Sequence, residues 1–344
     1  VLRTGFIGCG GIVERRHAPG FAKLAARASV VALADVSEAR LAVIAGMLGV
    51  PREHCYTDYT AMLAREKLDL VDITSPHHLH AEQAIAAAQA GCHVLMEKPI
   101  ARTPDEARAA IAAAQAAGVK LCVLHNQLFT PASLKLRELL ASGELGEPFL
   151  VRSELIGGSA ATGRGADQGW RMSVEGSGGG ALIDSGYHQT YLARAWMGSP
   201  VRRVYARMGR FVHDYEVEDL SLVTLEHENG GLTSLQSGFC APGGIVGMQE
   251  VVAKRGQARV NFWADPPLDL WTADEPQWRK VPCAVEEPDE VGWPALVGAF
   301  LEAIEGRGEV PVSGEDSLEI IAIIAAAYES ARRGEAVEVA PNGS

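Results

Sequence analysis

Short apolar runs alternate with longer amphipathic stretches through the first third of the chain. Leu2–Ile7, Ser29–Asp35, Leu68–Thr74, His93–Glu97 and Lys120–His125 are too short for helices and rich in Val, Ile and Leu. That is the pattern of strands buried on both faces. Helices are expected between them: one up to about Arg27, one from His78 to Ala90 and one from Thr103 to Gly118. Thr103-Pro104-Asp105-Glu106 is a helix start in four residues. It offers a cap, a proline where no donor is needed, and acids at the positive end of the helix dipole. Repeated strand–helix units imply a parallel sheet with helices on both faces.

The pattern changes after Asn126. A helix is expected over Pro131–Ser142, then strands at Phe149–Ile156, Val201–Met208, Leu220–Glu228, Gly231–Phe239, Gln249–Ala253 and Arg259–Trp263. Asn229-Gly230 is a hairpin signal. Strands in succession without helices imply an antiparallel sheet. Gly157–Gly169, rich in Gly, Ala and Ser, reads as a loop, with the makings of a lid. Helices Trp293–Glu305 and Glu315–Arg333 close the chain. The fold class is therefore α/β: a doubly wound parallel sheet over residues 1–125, then an α/β domain over 126–344 built on a mainly antiparallel sheet.

A chain of 344 residues suits two domains. It is 47% apolar and 22% charged, with no apolar run long enough to span a bilayer. A net charge of −12 argues against nucleic acid, which calls for a basic face. The 6 cysteines are scattered, with no C-x-x-C and no histidine at zinc-ligand spacing, so free buried thiols in a reducing cytoplasm are expected. No secretory signal is recognised.

The candidate chemistry starts at the first strand, which runs straight into Gly8-Cys9-Gly10-Gly11-Ile12-Val13. A strand, a glycine turn and a helix make the context in which a dinucleotide pyrophosphate sits on a helix N-terminus. Val13 stands where a third Gly or Ala is usual. The second strand ends in Asp35, 22 residues after Val13, where a carboxylate grips the adenosine ribose hydroxyls. Val36 and Ser37 follow rather than an arginine, so NAD is favoured over NADP, with Arg40 one turn further on. His77, His78 and His80 cluster without an acidic or Cys partner nearby. Helix capping and cofactor contact are preferred there, and no metal is expected.

Lys98 stands between Glu97 and Pro99. Proline ends the strand, which puts the lysine at the carboxyl edge of a parallel sheet, where ligands bind. It is either a snorkelling cation or a working group. Gly178-Gly179-Gly180 leads into a helix carrying Asp184 and His188, four residues apart and so on one helix face. The carboxylate can then fix the imidazole tautomer, or the two form an exposed pair of small structural worth. The triple glycine favours the functional reading, because such backbone usually allows a close approach.

Taken together, Gly8-Cys9-Gly10-Gly11-Ile12, Pro76 with His80, Glu97-Lys98-Pro99, and the triple glycine followed by Asp184-Ser185-Gly186-Tyr187-His188 resemble the glucose–fructose oxidoreductase / inositol dehydrogenase / rhizopine-catabolism (Gfo/Idh/MocA) family. Val312–Ser317 and Ala327–Ser330 are similar to its closing segment. The resemblance implies a Rossmann domain followed by a large open, mainly antiparallel sheet whose outer face makes a homodimer or homotetramer. It implies NAD-dependent oxidation of a sugar or polyol hydroxyl, with Lys98, Asp184 and His188 catalytic and His188 the general base. The cofactor residues it implies are Gly8, Gly10, Gly11, Ile12, Asp35, Ser75, Pro76, His80, Glu97, Lys98 and Asn126. Substrate contacts would come from Lys98, Asp184 and His188, with Trp170 and Arg171 at the end of the loop.

The chain departs from the family pattern in four places. His77 stands where asparagine is frequent, Gln127 and Leu128 where an aromatic and an arginine are, and Tyr191 where an aspartate is. Without that arginine a neutral polyol or glycoside is expected rather than an anion. The expected activity is a sugar, glycoside or inositol dehydrogenase. Two alternatives share the fold: an enzyme that holds NAD tightly for transient oxidation, in epimerisation or glycoside cleavage, and a non-catalytic sugar- or NAD-sensing regulator.

Overall fold

A computed structural model describes residues 1–157, 166–243, 246–284, 286–287 and 290–340. Its contacts divide the chain into two compact units, Val1–Asn126 with Gly292–Leu318, and Gln127–Val291 with Glu319–Ser344.

The first unit is a parallel sheet of β1 (Leu2–Ile7), β2 (Ala28–Ala34), β3 (Cys55–Tyr56), β4 (Leu70–Ile73), β5 (His93–Met96) and β6 (Leu121–Val123), in the order β3-β2-β1-β4-β5-β6. Order and direction are those of the doubly wound dinucleotide fold. Its helices are α1 (Ala18–Lys23), α2 (Glu38–Leu48), α3 (Tyr59–Arg65), α4 (His77–Gln89) and α5 (Pro104–Ala117). Thr103 caps α5 as expected, its side chain accepting from the Glu106 N–H, and Gly118 ends it at φ +67°. The helix after the first strand is shorter than the pattern suggests: a single π turn, Val13–His17, feeds α1, which stops at Lys23.

The second unit carries α6 (Pro131–Ala141), α7 (Val174–Ser177), α8 (Tyr187–Met197) and a nine-stranded sheet. Its strands are β7 (Pro148–Ile156), β8 (Val201–Gly209), β9 (Leu220–His227), β10 (Leu232–Gly238), β11 (Val246–Ala253), β12 (Gly256–Val260), β13 (Leu268–Thr272), β14 (Arg279–Val281) and β15 (Val337–Glu338). They run in the order β14-β13-β12-β11-β7-β10-β9-β8-β15, and every pairing is antiparallel except β7 with β10. Buried and exposed positions alternate along β8 and β9, so the sheet has one packed face and one open face. The chain closes with α9 (Trp293–Ile304), α10 (Gly314–Arg333) and β15.

The structure shifts two expectations. The strand expected at Arg259–Trp263 lies at Gly256–Val260, because Asn261 turns the chain: its side chain accepts from the Trp263 N–H and its carbonyl from the Ala264 N–H. The division expected at residues 125 and 126 becomes several crossings, since Gly292–Leu318 packs with the first unit. Trp293 accounts for this. A Cβ on Gly20 would lie 2.2 Å from Trp293 Cζ3, and the indole meets Phe21 and His17 edge to face at 5.4 Å. Of the lid expected over Gly157–Gly169, residues 158–165 lie outside the described residues, and Ala166–Met172 is a 3₁₀ turn.

Candidate active site

The carboxyl ends of β1, β2, β4 and β5 build a cradle. Gly8 turns the chain at φ +98°, and a Cβ there would sit 2.8 Å from Thr74 Oγ1 and 2.9 Å from the Ser75 backbone nitrogen. Only glycine fits that turn. A Cβ on Gly10 would meet nothing within 4 Å, which leaves open space where a pyrophosphate must approach the backbone. Gly11, half-buried, faces Arg15, and Ile12 precedes the π turn. Asp35 is tied to this loop: Oδ2 accepts from the Cys9 N–H at 2.6 Å and Oδ1 from the Ser37 N–H at 2.8 Å. Arg40 is engaged, its guanidinium donating to the Cys9 carbonyl and to Glu14, each at 2.8 Å. The turn, the open space and the anchored acid fit a dinucleotide.

The next loops are held by side chains. Ser75 donates to Gln83 at 2.6 Å, and Pro76 stands at the N-cap position of α4. His80 is fully buried, with Nδ1 2.6 Å from the Pro99 carbonyl and Nε2 2.9 Å from the Ser75 carbonyl. It joins the two loops. Lys98 stands at the end of β5, and the Lys98–Pro99 peptide is cis. Glu97 turns back over its own strand: Oε2 accepts from the Lys98 N–H at 3.2 Å, and Oε1 lies 3.0 Å from His17 Nε2. Burial would raise the Glu97 carboxyl, but the bond from His17 and then the charges of His17, Lys98 and Arg16 take it down to about 2. Asn126 is buried where β6 gives way to a 3₁₀ turn.

In the second unit the triple glycine has a concrete reason. A Cβ on Gly179 would fall 2.0 Å from the Tyr328 hydroxyl, and one on Gly180 1.9 Å from the Glu218 carbonyl oxygen. Glu218 braces the start of the helical segment beyond these glycines. Its carboxylate accepts from the Gly180 N–H, the Leu182 N–H and the Tyr328 hydroxyl, all at 2.9 Å. Leu182–Gly186 is a second π turn and carries Asp184 into α8. Single π turns inside helices recur at functional sites. Asp184 lies 3.5 Å from Arg171 Nε, and the Arg171 guanidinium rests 4.2 Å from the Trp170 ring centroid. His188 Nδ1 lies 2.7 Å from the Tyr191 hydroxyl, and that hydroxyl accepts from the Gln127 N–H at 3.2 Å.

Known proteins place the fold. A model of an oxidoreductase family with an NAD-binding Rossmann fold matches residues 2–125, and one of the GFO/IDH/MocA C-terminal domain matches residues 133–259. D-xylose 1-dehydrogenase (NADP(+)) 2 of Haloferax volcanii is 33% identical over 98% of this chain and 100% of its own. The chain belongs to the Gfo/Idh/MocA family. D-apiose dehydrogenase of Paraburkholderia graminis is 29% identical over 98% of this chain and 90% of its own. A solved levoglucosan dehydrogenase, complexed with NADH and L-sorbose, shares the fold with a TM-score of 0.90 at 24% identity, over 100% of both chains. This Gfo/Idh/MocA member is an oxidoreductase with an NAD-binding Rossmann domain.

Three residues of this family member escape the motifs. Tyr191 stands where the family often carries an acid, and it is the partner of His188. Glu218 braces the helix that carries Asp184, and His17 pins Glu97. The one sequence signal was at Tyr191: a departure from an acid to a residue that still has a hydrogen-bonding group.

Proposed function

We propose that this oxidoreductase oxidises a hydroxyl of a neutral sugar, glycoside or inositol, with His188 as general base and Lys98 and Asp184 assisting. Bound NAD supplies the hydride acceptor. The observation that carries the reading is the bond between His188 Nδ1 and Tyr191. With Nδ1–H donated to the phenolic oxygen, Nε2 is the nitrogen that takes the alcohol proton, and the ring is held for it. Lys98 donates to the reacting oxygen as its proton leaves, and Asp184 with Arg171 orients a neighbouring hydroxyl. The Arg171 charge already has Asp184 beside it, which supports a neutral substrate over an anionic one. Relatives named for D-xylose, D-apiose, D-glucosides and scyllo-inositol supply the range of substrates to try. The anchored Asp35 supports NAD over NADP, against the NADP(+) in the name of the Haloferax volcanii enzyme. The open face of the nine-stranded sheet, with Tyr205 and Leu222 exposed, is proposed to join copies of the chain.

The test is purified protein with NAD and D-xylose, methyl β-D-glucoside, levoglucosan or myo-inositol, followed as NADH absorbance. Net NADH release from at least one is expected, lost in Lys98→Met and in His188→Asn. Full turnover in Lys98→Met, or no NADH from any neutral sugar or cyclitol, overturns the reading. Conversion of the sugar without net NADH would instead indicate transient oxidation.

A further inference from the structure

Beneath Glu97-Lys98-Pro99 lies a row of ionisable groups that the proposed reaction does not use. His17, on the first π turn, is fully buried, as is Asp72 on β4. His17 Nδ1 lies 2.6 Å from Asp72 Oδ2, and Nε2 lies 3.0 Å from Glu97 Oε1. The other Glu97 oxygen receives the Lys98 N–H. The row therefore runs Asp72–His17–Glu97–Lys98 and ends on the residue assigned to the reacting oxygen. Asp72 Oδ1 has no hydrogen-bond partner among the described residues, so the Asp72 carboxylate is spent on His17.

We propose that His17 and Asp72 are positioning residues for Lys98: together they fix the Glu97 carboxylate, and Glu97 fixes the backbone from which the lysine projects. This rests on the reading of Lys98 as a catalytic group. Burying ionisable groups in a sheet carries a desolvation cost, and an apolar filling is often at least as stable. Such groups gather where a site needs them held. The row is also insensitive to where its inner proton sits. If His17 is doubly protonated beside an ionised Asp72, or neutral beside a protonated one, the pair is neutral and Nε2–H still donates to Glu97. Finally, the row is closed on its far side: Trp293 of α9 lies edge to face on His17, and Gly20 is the glycine that lets it in.

The groups facing His17 are Asp72 from β4, Glu97 from the end of β5 and the neutral Trp293 ring from α9. Lys98 and Arg16 act on Glu97 in turn. Burial opposes charging of His17, but the two carboxylates outweigh it and lift the imidazole to about 9. A histidine raised in the fold contributes stability that is fully present below its ordinary 6.5 and is lost as the pH rises through about 9.

The test uses the full chain as wild type, His17→Leu, His17→Gln and Lys98→Met. Two readouts are taken: Tm from pH 6 to 10, and kcat and KM with NAD and the best sugar of the panel. The gap in Tm between wild type and His17→Leu is expected to narrow as the pH passes about 9. At neutral pH, kcat of His17→Leu is expected to fall about tenfold with KM within about twofold, and Gln, which can still donate to Glu97, to recover part of it. Should His17→Leu not fold, His17→Gln and the isosteric Asp72→Asn carry the same comparison. Retention of kcat within about twofold in the folded variants, with Lys98→Met inactive, overturns the proposal, as does a Tm gap independent of pH. Full turnover in Lys98→Met overturns the reading of Lys98 itself, and this proposal with it.

Discussion

Replacing Tyr191 by Phe tests how the proposed base is held. The substitution removes one oxygen and leaves the ring, which packs edge to face on Tyr187 at 6.1 Å and on His188 at 5.5 Å. Two bonds go with it: the 2.7 Å contact with His188 Nδ1 and the 3.2 Å bond from the Gln127 N–H. A hydrogen bond contributes about 1 kcal/mol net, and a donor left buried without a partner loses somewhat more. Unfolding in urea should therefore require about 2 kcal/mol less. The effect on turnover has a different origin. Without the phenolic oxygen, His188 Nδ1 loses the hydrogen bond that orients the ring, and the ring can turn. A loss of about tenfold in kcat, equivalent to about 1.4 kcal/mol, is expected with little change in KM. Tyr191→Asp supplies the sign. A carboxylate stabilises the imidazolium where a neutral phenol does not, so the acid limb of kcat should move to higher pH. If Phe leaves kcat within about twofold and Asp leaves the acid limb in place, the hydroxyl does not orient a working base.

Two other outcomes are expected in the first unit. His125 is fully buried against Ser317, and burial pushes its imidazole down to about 3. A depressed histidine gives stability that is complete above 6.5 and is lost as the pH falls towards about 3, so Tm should drop on acidification from pH 6.5, and His125→Asn should flatten that limb. Equal slopes in both proteins would sink it. Asp35→Ser removes the anchored carboxylate proposed to repel a 2′-phosphate, while Arg40 remains. The ratio of kcat/KM for NADP to that for NAD should rise about tenfold or more, and an unchanged ratio would show that Asp35 does not set the preference.

The parallel sheet was readable because its strands are buried on both faces and separated by well-capped helices, as at Thr103 and Gly118. The glycine turn and Asp35 were readable because their chemistry follows from local spacing. β13 and β14 were not: they are short strands at the end of a sheet, fixed by pairing, β13 with β12 and β14 with β13, rather than by any pattern of their own.

The same distinction explains the site. The triple glycine reads as allowing a close approach, and at Gly180 the group that comes close is the Glu218 carbonyl, 38 residues on, which no local pattern announces. His80 also ties two loops together, through the Ser75 and Pro99 carbonyls, which no local spacing announces. His17 carried no signal at all, because both carboxylates that define it lie 55 and 80 residues away. A motif records the residues a ligand must meet, since these need particular atoms at particular spacings. It does not record the residues that hold them, because any donor the fold brings into range can serve. Tyr191 in place of an acid is one such replacement, and its consequence for the acid limb is what separates a substitute holder from an idle neighbour.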